Sequence, residues 1–243
     1  GDSELLLLGG LPSLELLDVS GCRGVSDGLL QVVSEACGAC LESLDVSHTP
    51  DSGFTQEPNV CRITDEGLEA MAKRCPKLRR IGLRCCDTVG DEGVKALAAH
   101  CKCLVDVDLS RCKSVTDDGV IALVNGCAVE RLVLNSAGRD QVPESDGTEE
   151  GTTEYGITDE SLLEMRKKVA LSLRELDVSW CRGLSDEGLG TLTDVAASLR
   201  KLTLRGCSQV TDVFLNGHGN GELVVWGRSM ADSRMAFRPR IHA

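Results

Sequence analysis

Aromatic side chains are almost missing from this sequence. Two Trp, one Tyr and three Phe make up 2% of 243 residues, so a core must be built from Leu, Val, Ile, Ala and Cys. No apolar run approaches the roughly 20 residues that a membrane-spanning helix needs. The leucines at 5–8 form only a short run beside Asp2 and Glu4, which also argues against a secretory signal. An Asn-x-Ser/Thr acceptor is absent. Positive charge is in short supply: 26 Lys and Arg stand against 38 Asp and Glu, a net charge of −12. That balance argues against nucleic acid as a partner, because phosphate binding needs clustered cations. One short basic segment lies at the end, where Arg228, Arg234, Arg238 and Arg240 accompany a single Asp232.

Catalytic arrangements are lacking too. His48, His100, His218 and His242 show no metal or triad spacing, and there is neither a nucleophile elbow nor a Walker loop. Gly217, Gly219 and Gly221 follow no nucleotide-fold strand and read as a turn. No enzyme activity and no cofactor are expected.

Cysteine, by contrast, is abundant, with 13 residues. Disulfide frameworks belong mainly to short secreted chains, so a reducing compartment, cytosol or nucleus, is the expected setting. Cys37 and Cys40 match C-x-x-C. They fall at the end of a predicted helix, where the dipole has the wrong sign to activate a thiol. Zinc would need two such pairs at suitable spacing, and Cys85–Cys86 with Cys101 and Cys103 do not supply them.

The sequence repeats. LRELDVSWCRGLSDEGLGTL begins at Leu173, LVDVDLSRCKSVTDDGVIAL at Leu104, LRRIGLRCCDTVGDEGVKAL at Leu78 and LELLDVSGCRGVSDGLLQVV at Leu14. Less regular copies begin at Leu41, Val129 and Leu199. Most units are about 26 residues long, within the range of leucine-rich repeats. The first half of each, L-x-x-L-x-L, has the period of a half-buried strand. The second half, such as that from Thr64, places Leu68, Met71 and Ala72 at helical spacing. Ser or Thr before Asp predicts an N-cap, and Asp in the first turn suits the helix dipole. Asp65, Asp117, Asp159 and Asp186 recur at this place and read as helix starts rather than acid–base pairs. A single unit cannot bury its apolar face, so neighbours must stack. The expected fold is an α/β solenoid with a parallel sheet on the concave face and helices on the convex face.

The recurring L-x-x-L-x-L-x-x-C-x-x-(V/I/L)-(T/S)-D-x-G-(L/V) resembles the cysteine-containing leucine-rich repeats of F-box substrate receptors and of Rad7-like and AMN1-like proteins. Its Cys falls at Cys22, Cys86, Cys112, Cys181 and Cys207, with Thr49 and Ala137 in the two repeats that carry inserts. The resemblance covers residues 11–215. It implies a right-handed superhelix that holds a protein partner, in particular the substrate-recognition domain of an SCF-type ubiquitin ligase subunit. An F-box would dock on a Skp1-type adaptor and is not visible in this sequence. Residues 4–8 followed by Gly9 and Gly10 read as the end of a helix leading into a strand, so the expectation is that such a segment lies upstream. The alternative is a non-catalytic structural subunit of a ciliary, mitochondrial or DNA-repair assembly.

The expected organisation is one solenoid over residues 1–226, with inserts near 48–62 and 138–156, and a basic tail over 227–243. The ladder cysteines, and Cys37, Cys75, Cys101 and Cys127 near helix ends, read as packing residues. Strand geometry selects the partner-binding face. The residue between the last two Leu of each unit gives the row Asp18, Asp45, Gly82, Asp108, Val133, Asp177 and Thr203, a largely acidic stripe. The next outward row contains Arg84 and Arg205, and the one after it Arg111 and Trp180. Exposed Trp and Arg are typical interface anchors, although Trp180 could instead pack over a neighbouring strand. The inserts should leave one rim of the solenoid. The second carries Asp140, Glu144, Asp146, Glu149, Glu150 and Glu154 and lacks a core pattern. No aromatic residue falls at a core position of a repeat. The segment from Glu222 should add a strand over the open end.

Overall fold

A computed structural model describes residues 12–48, 61–138, 156–169 and 171–227, and the backbone of 236–237. Strands and helices alternate along it: β1 (Leu16–Asp18), α1 (Asp27–Cys37), β2 (Ser43–Asp45), α2 (Asp65–Ala72), β3 (Arg80–Gly82), α3 (Asp91–His100), β4 (Asp106–Asp108) and α4 (Asp117–Gly126). The order continues through β5 (Arg131–Val133), α5 (Asp159–Lys168), β6 (Glu175–Asp177), α6 (Asp186–Thr193), β7 (Lys201–Thr203), α7 (Asp212–Gly217) and β8 (Val224–Trp226). Each of the seven repeat starts read from sequence lies two residues before a strand. The eighth strand is the one expected after Glu222. A short β9 (Ala236–Phe237) runs antiparallel to β8.

Strands β1 to β8 pair in sequence order, all parallel and in one continuous register. Each three-residue strand puts its middle side chain inward: Leu44, Ile81, Val107, Leu132, Leu176 and Leu202 are at most 2% exposed. Leu30, Leu68, Leu97, Leu123, Leu162 and Leu189 close the core from the helix side. Helices about 10 Å wide stacked behind strands about 4.8 Å apart bend the array, with the sheet on the inner side. The result is an open α/β leucine-rich-repeat solenoid.

Two polar ladders stitch the repeats together. In the first, ladder thiols donate to the carbonyl just after the preceding strand: Cys112 Sγ to Leu83 O (3.1 Å), Cys181 to Leu134 O (3.2 Å) and Cys207 to Val178 O (3.1 Å). Helix-end thiols do likewise, with Cys101 Sγ reaching Cys75 O (3.3 Å) and Cys127 Sγ reaching Cys101 O (3.4 Å). Burial pushes the Cys101 thiol up to about 12. Asn220 takes over this place in the last repeat and donates to Ala196 O and Leu199 O. Cys22 departs from the expected burial. It is exposed, because β1 is the first described strand and, among the described residues, no earlier strand supplies a carbonyl to cover its thiol.

The second ladder is built by the helix-start aspartates. Asp91 accepts from the N–H of Thr116 (2.7 Å) and Gly119 (3.0 Å) and from Thr116 Oγ1 (2.7 Å) in the next repeat. Asp27, Asp117, Asp159 and Asp186 grip Thr64, Thr158, Ser185 and Thr211 in the same way. The aspartates therefore do more than start helices; each brackets the N-cap of its neighbour. The glycine of T-D-x-G leaves room for that carboxylate, since a Cβ on Gly119 would meet Asp91 Oδ1 at 2.5 Å. Phe214 occupies the glycine place in the last unit. Against the expectation that no aromatic enters the core, it is 3% exposed and packs on His218, where its ring adds apolar surface to the last described helix.

Candidate functional site

The outward stripe is real geometry. Asp18, Asp45, Gly82, Asp108, Val133, Asp177 and Thr203 sit opposite one another in successive registers, and Trp226 extends the row. The aspartates also have a local task. Each accepts the N–H two residues on, from Ser20 (2.9 Å), Ser47 (2.8 Å), Ser110 (2.8 Å) and Ser179 (2.9 Å), fixing the turn that leaves the strand. The hydroxyl and N–H of Ser20 hold the Asp18 carboxyl below its ordinary range. The stripe is not uniformly open, because Val133 is only 8% exposed and Asp45 leans over Gly82.

A second outward row, not singled out from the sequence, begins each strand. Here Arg131 meets Asp106 (2.7 Å) and Glu175 (3.7 Å), and Lys201 meets Glu175 (3.3 Å). These charges alternate across adjacent strands, the arrangement that relieves like-charge repulsion in a sheet. Their carboxylates, with Asp108, raise the Arg131 pKa even though burial opposes its charge.

The turns after the strands carry backbone strain. Arg111, Ser136 and Trp180 have φ of 61°, 54° and 65°, and Cys85 has 60°. At the same place other repeats use Gly21, Gly206 and Gly227. A left-handed conformation costs a residue with a Cβ about 1 kcal/mol or more. Trp180 is half-buried, and its indole lies over Gly206 of the next turn, the packing that the sequence left open as an alternative.

Five of the eight expected contact residues come together. Arg84, Asp108, Arg111, Asp177 and Trp180 line a single cleft of about 650 Å³ on the sheet side. Asp18, Asp45 and Arg205 do not line it. Sequence reasoning missed Lys113, Arg131 and Arg182, which do. A signal existed for two of them, since Lys113 and Arg182 directly follow ladder cysteines. Lys113 is held by Asp87 (2.7 Å). Arg84 and Arg111 are exposed and, among the described residues, face no carboxylate at ion-pair distance.

Both inserts leave from this rim, immediately after strand-exit turns. His48 donates its N–H to Arg84 O (2.7 Å), and Gly138 to Cys112 O (3.1 Å). Cys61 is buried and the N–H of Asp117 bonds Gly156 O, so these ends belong to the repeat frame. Residues 49–60 and 139–155, with the tail beyond 227 apart from its short strand, lie outside the described residues, as does the run at 1–11.

Comparison with known proteins agrees with this architecture. The repeat family described as Leucine Rich repeat matches residues 61–72, 74–98, 100–124 and 170–192. A solved structure of the Rad7 and Elc1 complex in yeast is similar in fold at 16% identity, over 96% of this chain and 69% of that one, with a TM-score of 0.58. An internalin from Listeria monocytogenes matches at 16% identity with a TM-score of 0.47, over 91% of this chain, which spans 58% of the internalin. Among the described residues, no helix is long and apolar enough to cross a membrane.

Proposed function

We propose that this leucine-rich-repeat solenoid is a non-catalytic protein-binding subunit that holds a partner on its sheet face and strand-exit rim. The observation that carries this reading is the convergence of Arg84, Asp108, Arg111, Asp177 and Trp180, from the repeats of β3, β4 and β6, on one cleft. Such repeats are interaction modules, and their stacked strands display side chains in rows that only an extended partner can read together.

Within that reading, the chain is the substrate-recognition part of an F-box-type ubiquitin ligase, working in the cytosol or nucleus. The solenoid runs to residue 226 and the basic tail follows, with its Ala236–Phe237 paired to β8. Support comes from the cysteine ladder and from the similarity in fold to Rad7, whose solved structure is a complex with Elc1. A Skp1-type adaptor would then attach through a segment upstream of Gly1.

The test is affinity capture with the native chain and with a Trp180→Ala, Arg205→Ala variant, followed by capture of the full-length protein with purified Skp1. Loss of a specific partner in the variant is expected. Unchanged recovery overturns the sheet-face assignment. A full-length protein that ignores Skp1 and sits at fixed stoichiometry in a larger assembly favours the structural-subunit alternative.

A further inference from the structure

The cleft's lining is richer in cations than in carboxylates, on an acidic molecule. Five cations, Arg84, Arg111, Lys113, Arg131 and Arg182, line it against two carboxylates, Asp108 and Asp177, in a chain of net charge −12. Those two carboxylates already accept turn N–H groups, and two of the cations are engaged by Asp87 and Asp106. Arg84 and Arg111, on adjacent repeats, are the exposed pair that no described carboxylate answers. A guanidinium binds carboxylate or phosphate oxygens through two parallel hydrogen bonds.

The backbone points to the same place. Arg111, Ser136 and Trp180 follow three consecutive strands and are left-handed, as Cys85 is one repeat earlier, at a place where Gly21, Gly206 and Gly227 stand in other repeats. All three line the cleft. Strained conformations of this kind collect at ligand-binding positions. Here each one sets a cleft-lining side chain where glycine would offer none.

We propose that this cleft receives an anionic stretch of a partner polypeptide, its carboxylate or phosphate oxygens gripped by Arg84 and Arg111 and its chain laid against Trp180. This deepens the sheet-face reading above and rests on it. The lining is mostly charged and polar, which suits an extended acidic segment better than an apolar small molecule. Charge complementarity selects the occupant, and the same complementarity should steer its approach.

Fluorescence anisotropy tests this with three labelled peptides: hexaglutamate, a six-residue peptide with two phosphoserines, and hexaglutamine. Hexaglutamate or the phosphopeptide should bind the full chain, more weakly at high salt, and hexaglutamine should not. Arg84→Glu with Arg111→Glu should weaken binding at least tenfold, and the milder Arg84→Gln, Arg111→Gln pair several-fold if the first variant fails to fold. Lys77→Glu with Arg79→Glu, outside the cleft, should change binding less than twofold. A preference for the phosphopeptide or for hexaglutamate identifies the source of the anionic oxygens. Absence of binding by both anionic peptides, or equal weakening by the outside pair, overturns the proposal. If neither anionic peptide binds while Trp180→Ala, Arg205→Ala still loses its captured partner, the sheet face stands and only the anionic occupant falls.

Discussion

Gly119 lies in the first turn of α4, where alanine would ordinarily gain up to about 1 kcal/mol in helix propensity. The inter-repeat bracket reverses that expectation. A Cβ there would stand 2.5 Å from Asp91 Oδ1, an oxygen already fixed by two N–H donors. Gly119→Ala should therefore destabilise by roughly 1–3 kcal/mol, the usual cost of overpacking. Asp91→Ala should cost about 2 kcal/mol, through lost charge-assisted hydrogen bonds. Because removing the carboxylate also removes the clash, the double variant should lose less than the sum, a coupling that urea melts of the four proteins would reveal. Additive losses would break the link between glycine and aspartate. The thiols offer a second check at this scale. Exposed Cys22 and Cys103 should be alkylated by iodoacetamide in the native chain. Cys75 and Cys101, buried and each pushed up to about 12, should react only on unfolding, because the thiolate is the nucleophile. Peptide mapping by mass spectrometry after brief labelling would show early modification of the buried pair if the ladder were loose.

Two elements carry strain or a partly buried titratable group whose effect can be measured. In the turn after β5, Ser136 has φ 54°. Ser136→Gly should hold stability level or raise it by up to about 1 kcal/mol, the gain set by left-handed strain minus glycine's entropy cost. Ser136→Val should lose stability, since a β-branched residue is poorly tolerated there. A lower melting temperature for the glycine variant than for the valine variant would show that the turn is not strained. At the far end, α7 is closed by Phe214 against His218, with ring centroids 5.4 Å apart. Burial lowers the His218 pKa. Its folded value thus lies below that of the unfolded chain, and the unfolded state takes up the proton more readily. The stability tied to neutral His218 is complete above about pH 6.5 and is lost as pH falls through the folded value. His218→Phe should remove this component, so the melting temperatures of variant and native protein should move apart between pH 7.5 and 5.5 in favour of the variant. Parallel curves would refute the assignment.

At the scale of the whole molecule, the sequence states plainly what each repeat does by itself and is silent on what repeats do to one another. The alternation in L-x-x-L-x-L placed all of β1 to β7, because one inward Leu per strand is a property of a single unit. The same rule picked out Asp108, Asp177, Arg111 and Trp180 as outward residues. It could not show that Arg131 pairs with Asp106 and Glu175, or that Trp180 lies over Gly206, because those contacts depend on register between neighbours. The exposure of Cys22 has the same origin, since its position in the motif is ordinary and only its place at the edge of the described array sets it apart. This near-neighbour logic also makes a prediction. Among the described residues, the substantial contacts between elements join neighbours in the array, so stability should be a sum of local terms and interfaces. Leu132, wholly buried in central β5, is packed from both sides, and Leu132→Ala should cost roughly 2–5 kcal/mol. Leu17 holds the same motif place in β1 but is only partly buried, at the edge of the described sheet. Leu17→Ala should cost less than half as much, despite the identical side chain and strand position. Chemical denaturation of the two variants decides the matter: equal losses would mean that the chain behaves as one undivided globule, whereas unequal losses follow from an array in which each site is held by the neighbours packed on it.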